Sequence, residues 1–517
     1  MISLKNVFWK YARTERPALA DVSAEIGEGE FVAVMGENGA GKTTFCRLLN
    51  GLIPHSMAGG LLGTVTVDGI ATGSSSVVRL SEKVGMAFDD PETQFFTARV
   101  FDEVAFALEN MLLPKREIVE KTRWALDAAG LSEYDDYPPA TLSGGQKQRL
   151  AIAAALAMAN RVLVLDEPCS RLDPVCTREV LSFIRNLRAD KRLTVVMATG
   201  SPEEAADFAD RVCVLKNGRV LAFDTPGRVF SDGGLLAAAG IDSPEGPGFA
   251  LRPGVPVAKT APVLRAERLR YMFETNPVRP VLDGVDLAIG ENEFVAILGR
   301  NGSGKTTLLK NIAGLLRPVQ GCVFVRGKDA GKMSVAEIAG EVGCVMQDSD
   351  NQLFEQTVYD EVAFALKRDP LKWGGGEARG KVGEALETLG LTALRDAFPP
   401  ALCKADRVKT VFAAVLAMGA KILLLDEPLA GQDSRGSRMI MEILAGLHGK
   451  GYTVVLVTHN IRVAAGYAER LVVMKSGRVH LDGDVSAVLA RTDELAEAGI
   501  LVEKTALPFQ GTIPSGA

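Results

Sequence analysis

The chain has 517 residues, 47% of them hydrophobic and 24% charged, with a formal net charge of -6. That length exceeds what one hydrophobic core serves and predicts two sizeable α/β domains rather than a disordered chain. The acidic balance argues against a nucleic-acid partner, since a phosphate-backbone binder carries a basic excess or stripe.

No uninterrupted apolar run reaches the roughly 18 residues that cross a bilayer, and no basic-then-apolar leader precedes a small-residue cleavage site. Any membrane contact is therefore expected through a partner. The seven cysteines, at 46, 169, 176, 213, 322, 344 and 403, contain no CxxC pair. They signal neither a zinc knuckle nor a disulfide framework, and a reducing cytosol is expected.

Compared with itself, the chain repeats at a period of about 260 residues, which is a duplicated domain rather than a solenoid. The predicted organisation is a first domain at 1–234, a Gly-, Pro- and Ala-rich linker at 235–262, a second domain at 263–506 and a frayed tail at 507–517. Each copy opens with a β-rich segment, ISLKNVFWKY at 2–11 and VLRAERLRYMF at 263–273, in which Tyr11 and Phe273 are equivalent. An aromatic there can stack on a purine or be a plain strand residue.

Next come EFVAVMGENGAGKTTFCRLLNGL (30–52) and EFVAILGRNGSGKTTLLKNIAGL (293–315), each reading as a buried strand, a glycine-rich turn and a helix. Both match G-x-x-x-x-G-K-[ST], whose backbone cradles phosphates. The candidate cradle residues are Gly36, Asn38, Gly39, Ala40, Gly41, Lys42, Thr43 and Thr44 in the first copy. They are Gly299, Asn301, Gly302, Ser303, Gly304, Lys305, Thr306 and Thr307 in the second. The lysines suit the β- and γ-phosphates, and Thr43 and Thr306 suit Mg²⁺.

The stretches FDDPETQFFTARVFDEVAFAL (88–108) and MQDSDNQLFEQTVYDEVAFAL (346–366) follow, with Asp89 opposite Gln347. LSGGQ at 142–146 then presents a hydroxyl and bare backbone N–H groups at a helix start, a ready anion site. Its counterpart at 402–406 is LCKAD, so Ser143, Gly144, Gly145 and Gln146 are replaced by Cys403, Lys404, Ala405 and Asp406. The apolar strands VLVLDEP and ILLLDEP end in Asp166-Glu167 and Asp426-Glu427, acids suited to a metal shell and to polarising water. Further on, Gly200 stands opposite His459 after equivalent strands, and both copies end in a hairpin turning at Asn217-Gly218 or Ser476-Gly477.

These motifs, in this order and twice over nearly the whole chain, resemble the nucleotide-binding domains of ATP-binding cassette (ABC) ATPases. The spacing of DDPETQFF and DSDNQLF ahead of DEVAFAL looks like the ATPase component of energy-coupling factor (ECF) importers, which take up vitamins and transition-metal ions. The resemblance implies an α/β fold of two ABC-type P-loop domains, each with a mixed, largely parallel sheet core, an antiparallel β subdomain and a helical subdomain. It implies ATP and Mg²⁺ as cofactors and head-to-tail pairing of the two cassettes within one chain. Its partners would be an integral membrane T-component and a substrate-binding membrane subunit at the cytoplasmic face of the cell membrane.

Carried over residue by residue, the resemblance gives two unlike sites. One combines Lys305, Thr306, Gln347, Asp426, Glu427 and His459 with Ser143, Gly144, Gly145 and Gln146, with Phe273 at the base, as Tyr11 would be in the other. Glu427, His459 and Gln347 would be catalytic, and Thr306, Gln347, Asp426, Thr43 and Asp166 would hold metal. The other site has Asp89 and Gly200 in place of the family's glutamine and histidine and faces Leu402 to Asp406. Its loop partner AGQDS (430–434) is altered, whereas SRLDP (170–174) resembles the family's SALDP. Asp102, Glu103, Asp360 and Glu361 are expected to meet arginines of the T-component. The main alternative, a soluble tandem-cassette factor acting on ribosomes, would carry a long charged linker and two intact signatures. A DNA-repair ATPase would need sustained heptads, which this chain lacks.

Overall fold

Ten strands build the first unit of the computed structural model, which describes residues 1–12, 14–158, 161–244, 261–273, 280–367 and 376–500, without the side chains of 190 and 191. They are β1 (Ile2–Tyr11), β2 (Leu19–Ile26), β3 (Phe31–Met35), β4 (Gly59–Val67), β5 (Ile70–Ala71), β6 (Val84–Ala87), β7 (Val162–Asp166), β8 (Thr194–Ala198), β9 (Arg211–Lys216) and β10 (Arg219–Asp224). β2-β1-β4-β5 form an antiparallel sheet, and β10-β9-β3-β8-β7-β6 form a mixed one. In the mixed sheet only β9 and β10 pair antiparallel; the other neighbours are parallel.

β3, β7 and β8 are buried at all five positions. Strands covered on both faces read as unbroken apolar runs, which is why FVAVM and VLVLD show no alternation. Period two still decides the faces. Phe31, Leu163, Leu165, Val195 and Met197 pack under the helices Val100–Asn110 and Gly144–Met158. Val32, Val34, Val164 and Val196 pack against Phe45, Leu48 and the antiparallel sheet's Leu4 and Trp9.

The second unit repeats this with β11 (Pro262–Tyr271), β12 (Leu282–Gly290), β13 (Phe294–Leu298), β14 (Gln320–Val325), β15 (Lys328–Asp329), β16 (Val342–Val345), β17 (Ile422–Asp426), β18 (Thr453–Val457), β19 (Arg470–Lys475) and β20 (Arg478–Asp484). Its sheets run β12-β11-β14-β15 and β16-β17-β18-β13-β19-β20. In each unit the strand leading into the glycine-rich turn lies between two parallel neighbours reached by crossovers, where α/β sheets place ligands. The turns Asn217-Gly218 and Ser476-Gly477 have left-handed φ at both positions, as the sequence predicts for primed hairpins.

The first domain boundary differs from the expected one. Residues predicted to begin the linker fold instead as the helix Gly233–Ala239, capped by Asp232 at its start and ended by Gly240 at φ 67. Leu236, Ala239 and Ile241 are buried against Ala33, Met35, Val212 and Val214. The shortage of charge that suggests a linker here reflects burial. The remainder of the expected linker, from 245 to 260, and the tail at 507–517 lie outside the described residues. Among the described residues no helix is long and apolar enough to cross a membrane.

Candidate functional site

Each glycine-rich turn runs from the end of β3 or β13 into an eight-residue helix, Lys42–Leu49 or Lys305–Ile312. The residues before these helices, Gly41 at φ 108 and Gly304 at φ 101, are left-handed, and no side chain caps either helix. The first-turn N–H groups are thus left for an anion. Lys42 Nζ donates to the Gly36 carbonyl at 2.8 Å and Lys305 Nζ to the Gly299 carbonyl at 2.7 Å, which folds each lysine over its own loop. Gly36, Asn38, Gly39, Ala40 and Gly41, and Gly299, Asn301, Gly302, Ser303 and Gly304, lie on these turns ahead of Thr43, Thr44, Thr306 and Thr307. Tyr11 reaches the first turn, its hydroxyl 3.1 Å from Thr44 Oγ1, while Phe273 has no hydroxyl and is 43% exposed, edge-on to Tyr271.

The acid pairs end β7 and β17 at the same level. Glu167 and Glu427 both have left-handed φ, 49° and 47°. A non-glycine residue held there costs backbone energy and is a feature of functional sites. Their surroundings differ. Glu167 pairs with Lys42 Nζ at 3.3 Å and accepts the Gly200 N–H at 3.1 Å. Glu427 Oε2 lies 3.0 Å from His459 Nδ1, and its Oε1 has no hydrogen-bond partner.

Thr43 Oγ1 donates to Asp166 Oδ1 at 3.0 Å. Burial, with help from Glu167 and Asp89, pushes the Asp166 carboxyl up to about 6, against the Thr43 hydrogen bond. Burial also raises Asp426, the Thr306 hydroxyl opposes it first, Glu427 adds to the rise, and Lys305 and Lys310 lower it. Both Asp426 oxygens are buried beside the Thr306 hydroxyl, which favours the ionised carboxylate although neither oxygen meets strict hydrogen-bond geometry. Hard oxygen donors beside a threonine hydroxyl fit Mg²⁺, which keeps most of its shell from water and phosphate. Among the described residues no cluster of three or more His, Cys, Asp or Glu could hold a metal by itself. Gln347 is exposed just past β16, and Asp89 is exposed just past β6.

At the LSGGQ stretch, the Ser143 N–H donates to Gln146 Oε1 at 2.8 Å and the Gln146 N–H to Ser143 Oγ at 3.3 Å. Gly144 is exposed, and Gly145 is buried so that an added Cβ would lie 3.1 Å from Cys176. In the second unit Cys403 Sγ donates to Asp406 Oδ2 at 3.1 Å and Lys409 pairs with the other oxygen. The helix start there already carries its own carboxylate, which opposes a second anion.

The expectation is overturned for Glu103 and Glu361, which are buried, while Asp102 and Asp360 remain on the surface. Glu103, 5% exposed, accepts the N–H groups of Phe96 and Thr97 and the Thr97 hydroxyl through Oε2 at 2.8 to 2.9 Å. Glu361, 4% exposed, accepts the N–H groups of Phe354 and Glu355 at 2.8 and 2.7 Å. Asp102 is forked by Arg99, and Asp360 pairs with Lys367. The two glutamates satisfy their own loops. What the loops expose instead is Phe96, beside the exposed helix residue Phe106 with ring centroids 6.0 Å apart, and Phe354, beside the half-buried helix residue Phe364 at 4.5 Å.

Sequence reasoning also missed Gln94 and Gln352. Each bridges its loop, accepting the Phe88 N–H at 2.9 Å or the Met346 N–H at 2.8 Å. Their identical place in DPETQ and DSDNQ was the available signal. Glu204, which accepts from Thr199 Oγ1 at 2.7 Å, was missed as well.

A phosphate cradle at the end of a central parallel strand, an acid pair two strands along the same sheet and an antiparallel sheet packed behind them define, twice, a P-loop nucleotide hydrolase of the ATP-binding cassette kind. The chain belongs to the ABC transporter family, whose profile matches residues 19–170 and 282–430. It is an ATP-hydrolysing ABC ATPase with two tandem cassettes. An ABC transporter ATP-binding protein of Caldanaerobacter subterraneus is 34% identical over 537 residues, spanning 96% of this chain and 94% of the relative. One of Methanosarcina mazei is 34% identical over 543 residues, spanning 97% and 92%. The solved structure of cbiO1 from Clostridium perfringens, described as part of the ABC transporter complex cbiONQ, is 32% identical, with a TM-score of 0.41, covering 48% of this chain and 98% of that one.

Proposed function

We propose that the chain is the energy-coupling subunit of a membrane importer of the ECF type, working with one hydrolytic and one inert nucleotide site. The observation that carries the asymmetry is the setting of the two glutamates. Glu427 meets an imidazole and keeps one oxygen uncommitted, while Glu167 is tied to Lys42 and a glycine N–H.

In the hydrolytic site Glu427 orients the attacking water and takes its proton, and His459 holds that carboxylate in place and polarises the γ-phosphate. Lys305 and the turn Gly299 to Thr307 bind the phosphates. Thr306, Asp426 and Gln347 would hold Mg²⁺, which supplies charge neutralisation to the phosphates when bound. Phe273 stacks on the base. In the inert site the cradle Gly36 to Thr44, with Thr43 and Asp166 on the metal and Tyr11 at the base, retains ATP as a tether.

The exposed Phe96 and Phe106, and the exposed Phe354 packed on the half-buried Phe364, support a membrane partner, because clustered surface aromatics are what an apolar helix docks against. The partner is an integral membrane T-component, with the vitamin or metal ion chosen by a separate membrane subunit at the cytoplasmic face. Co-expressed with the membrane proteins encoded beside it, the chain should co-purify with them from detergent. Replacing Phe96 and Phe106, or Phe354 and Phe364, by alanine should reduce that recovery about tenfold, the loss of one aromatic anchor's worth of binding. Full recovery by both double variants, or sedimentation with ribosomes instead, would remove the importer reading.

A further inference from the structure

Two acids distinguish the first phosphate pocket from the second, and only one of them is in a named motif. Asp89 stands where the second unit has Gln347, and Glu204 stands where it has Val463. Gly200 also removes the imidazole that His459 supplies. At these three positions the first unit therefore carries two more carboxyl groups and one fewer basic group, and Glu204 connects to the glycine-rich turn through Thr199, the Gly200 N–H, Glu167 and Lys42. A polyanion entering the first pocket meets repulsion that the second pocket lacks.

Glu204 is half-buried at the start of the helix Pro202–Phe208, its own N–H capped by Ser201 Oγ at 3.2 Å. Oε2 accepts the Thr199 hydroxyl at 2.7 Å, and Thr199 directly precedes the Gly200 N–H that binds Glu167. The titratable groups facing it are Glu167 and the Cys169 thiol from the loop after β7 and Glu203 from its own helix, with Lys42 one contact further on, paired to Glu167. In the second unit the places of Cys169 and Glu204 are taken by Leu429 and Val463, which pack in the apolar core. A polar pair has replaced an apolar one directly behind the nucleotide glutamate.

We propose that Glu204 is the proton-binding residue of the first nucleotide pocket, so that ATP binds there together with a proton taken from water onto the Glu204 carboxylate. The inference rests on the reading that this pocket retains ATP. Burial first, then Glu167 and Glu203, push the Glu204 carboxyl up to about 7 against the Thr199 hydrogen bond. Phosphate charge raises it further. Below about pH 7 the acid is already protonated and binding takes up no proton. Above it, each ATP brings one in, and affinity falls as pH rises.

The test uses the full chain with Lys305→Ala to weaken the second pocket, titrated with Mg·ATP by calorimetry between pH 6.5 and 8.5 in two buffers of different ionisation heat. Near pH 8 close to one proton should be taken up, with affinity falling about fivefold from pH 7 to pH 8. Adding Glu204→Val, the residue of the second unit, or Glu204→Gln should abolish the uptake and flatten the affinity. Thermal unfolding of each variant checks that it is folded. Uptake unchanged in both variants, or binding without uptake in the parent, overturns the inference and leaves the tether standing. A chain that binds no nucleotide at any pH in this range overturns both.

Discussion

Glu427→Gln should lower ATP turnover by about 10²- to 10⁴-fold, the usual contribution of a positioned general base, and Glu167→Gln should leave it within about twofold. The two glutamates share a position, a strand end and a left-handed backbone, with φ of 47° and 49°. The difference lies in what each oxygen touches. Glu427 has an oxygen without a hydrogen-bond partner and an imidazole on the other, whereas the Glu167 oxygens meet an ammonium and an N–H. An oxygen already engaged by an ammonium or an N–H has less capacity left to hold a water than one without a hydrogen-bond partner. Steady-state phosphate release from the two purified variants decides the matter, and equal losses would end the case for unlike sites.

Glu103→Lys should destabilise the first unit by about 3 kcal/mol or more, because it removes the acceptor for three donors and buries an unpaired ammonium. At roughly 2 to 4 °C per kcal/mol this is a fall in Tm of roughly 6 to 12 °C. Asp102→Lys, next to it but on the surface and paired only with exposed Arg99, should shift Tm little. Differential scanning of the two variants separates the readings. A stable Glu103→Lys protein that fails only to recruit its membrane partner would restore the carboxylate as a contact residue.

The parts of the site legible in the sequence are those whose meaning is local. The Gly36 to Thr44 turn works through its own backbone, and VLVLDEP through its own strand, so residue types and spacing suffice. Equivalence between the copies sharpened this: Gly200 is informative only because His459 stands opposite. The Glu103 cap, the Gln94 bridge and the hydrogen bond of Tyr11 to Thr44 join segments that the fold brings together, and nothing in their own neighbourhoods announces the partner. Glu203 and Glu204 are neighbours of identical type, and only their placement distinguishes them: Glu203 lies against Ser201 Oγ, and Glu204 turns inward to Thr199. The boundary at 234 failed for a related reason. A run without charges is equally suited to a linker and to a covered helix, and the Asp232 cap was the detail that favoured the helix.

That covered helix sets where the first cassette may be cut. A truncated version ending at residue 234 would strip Leu236, Ala239 and Ile241 from Ala33 and Met35 and leave a greasy seam along the strand that carries the phosphate loop. Such a fragment should aggregate when expressed alone, and carrying it through Pro244 should keep it in solution.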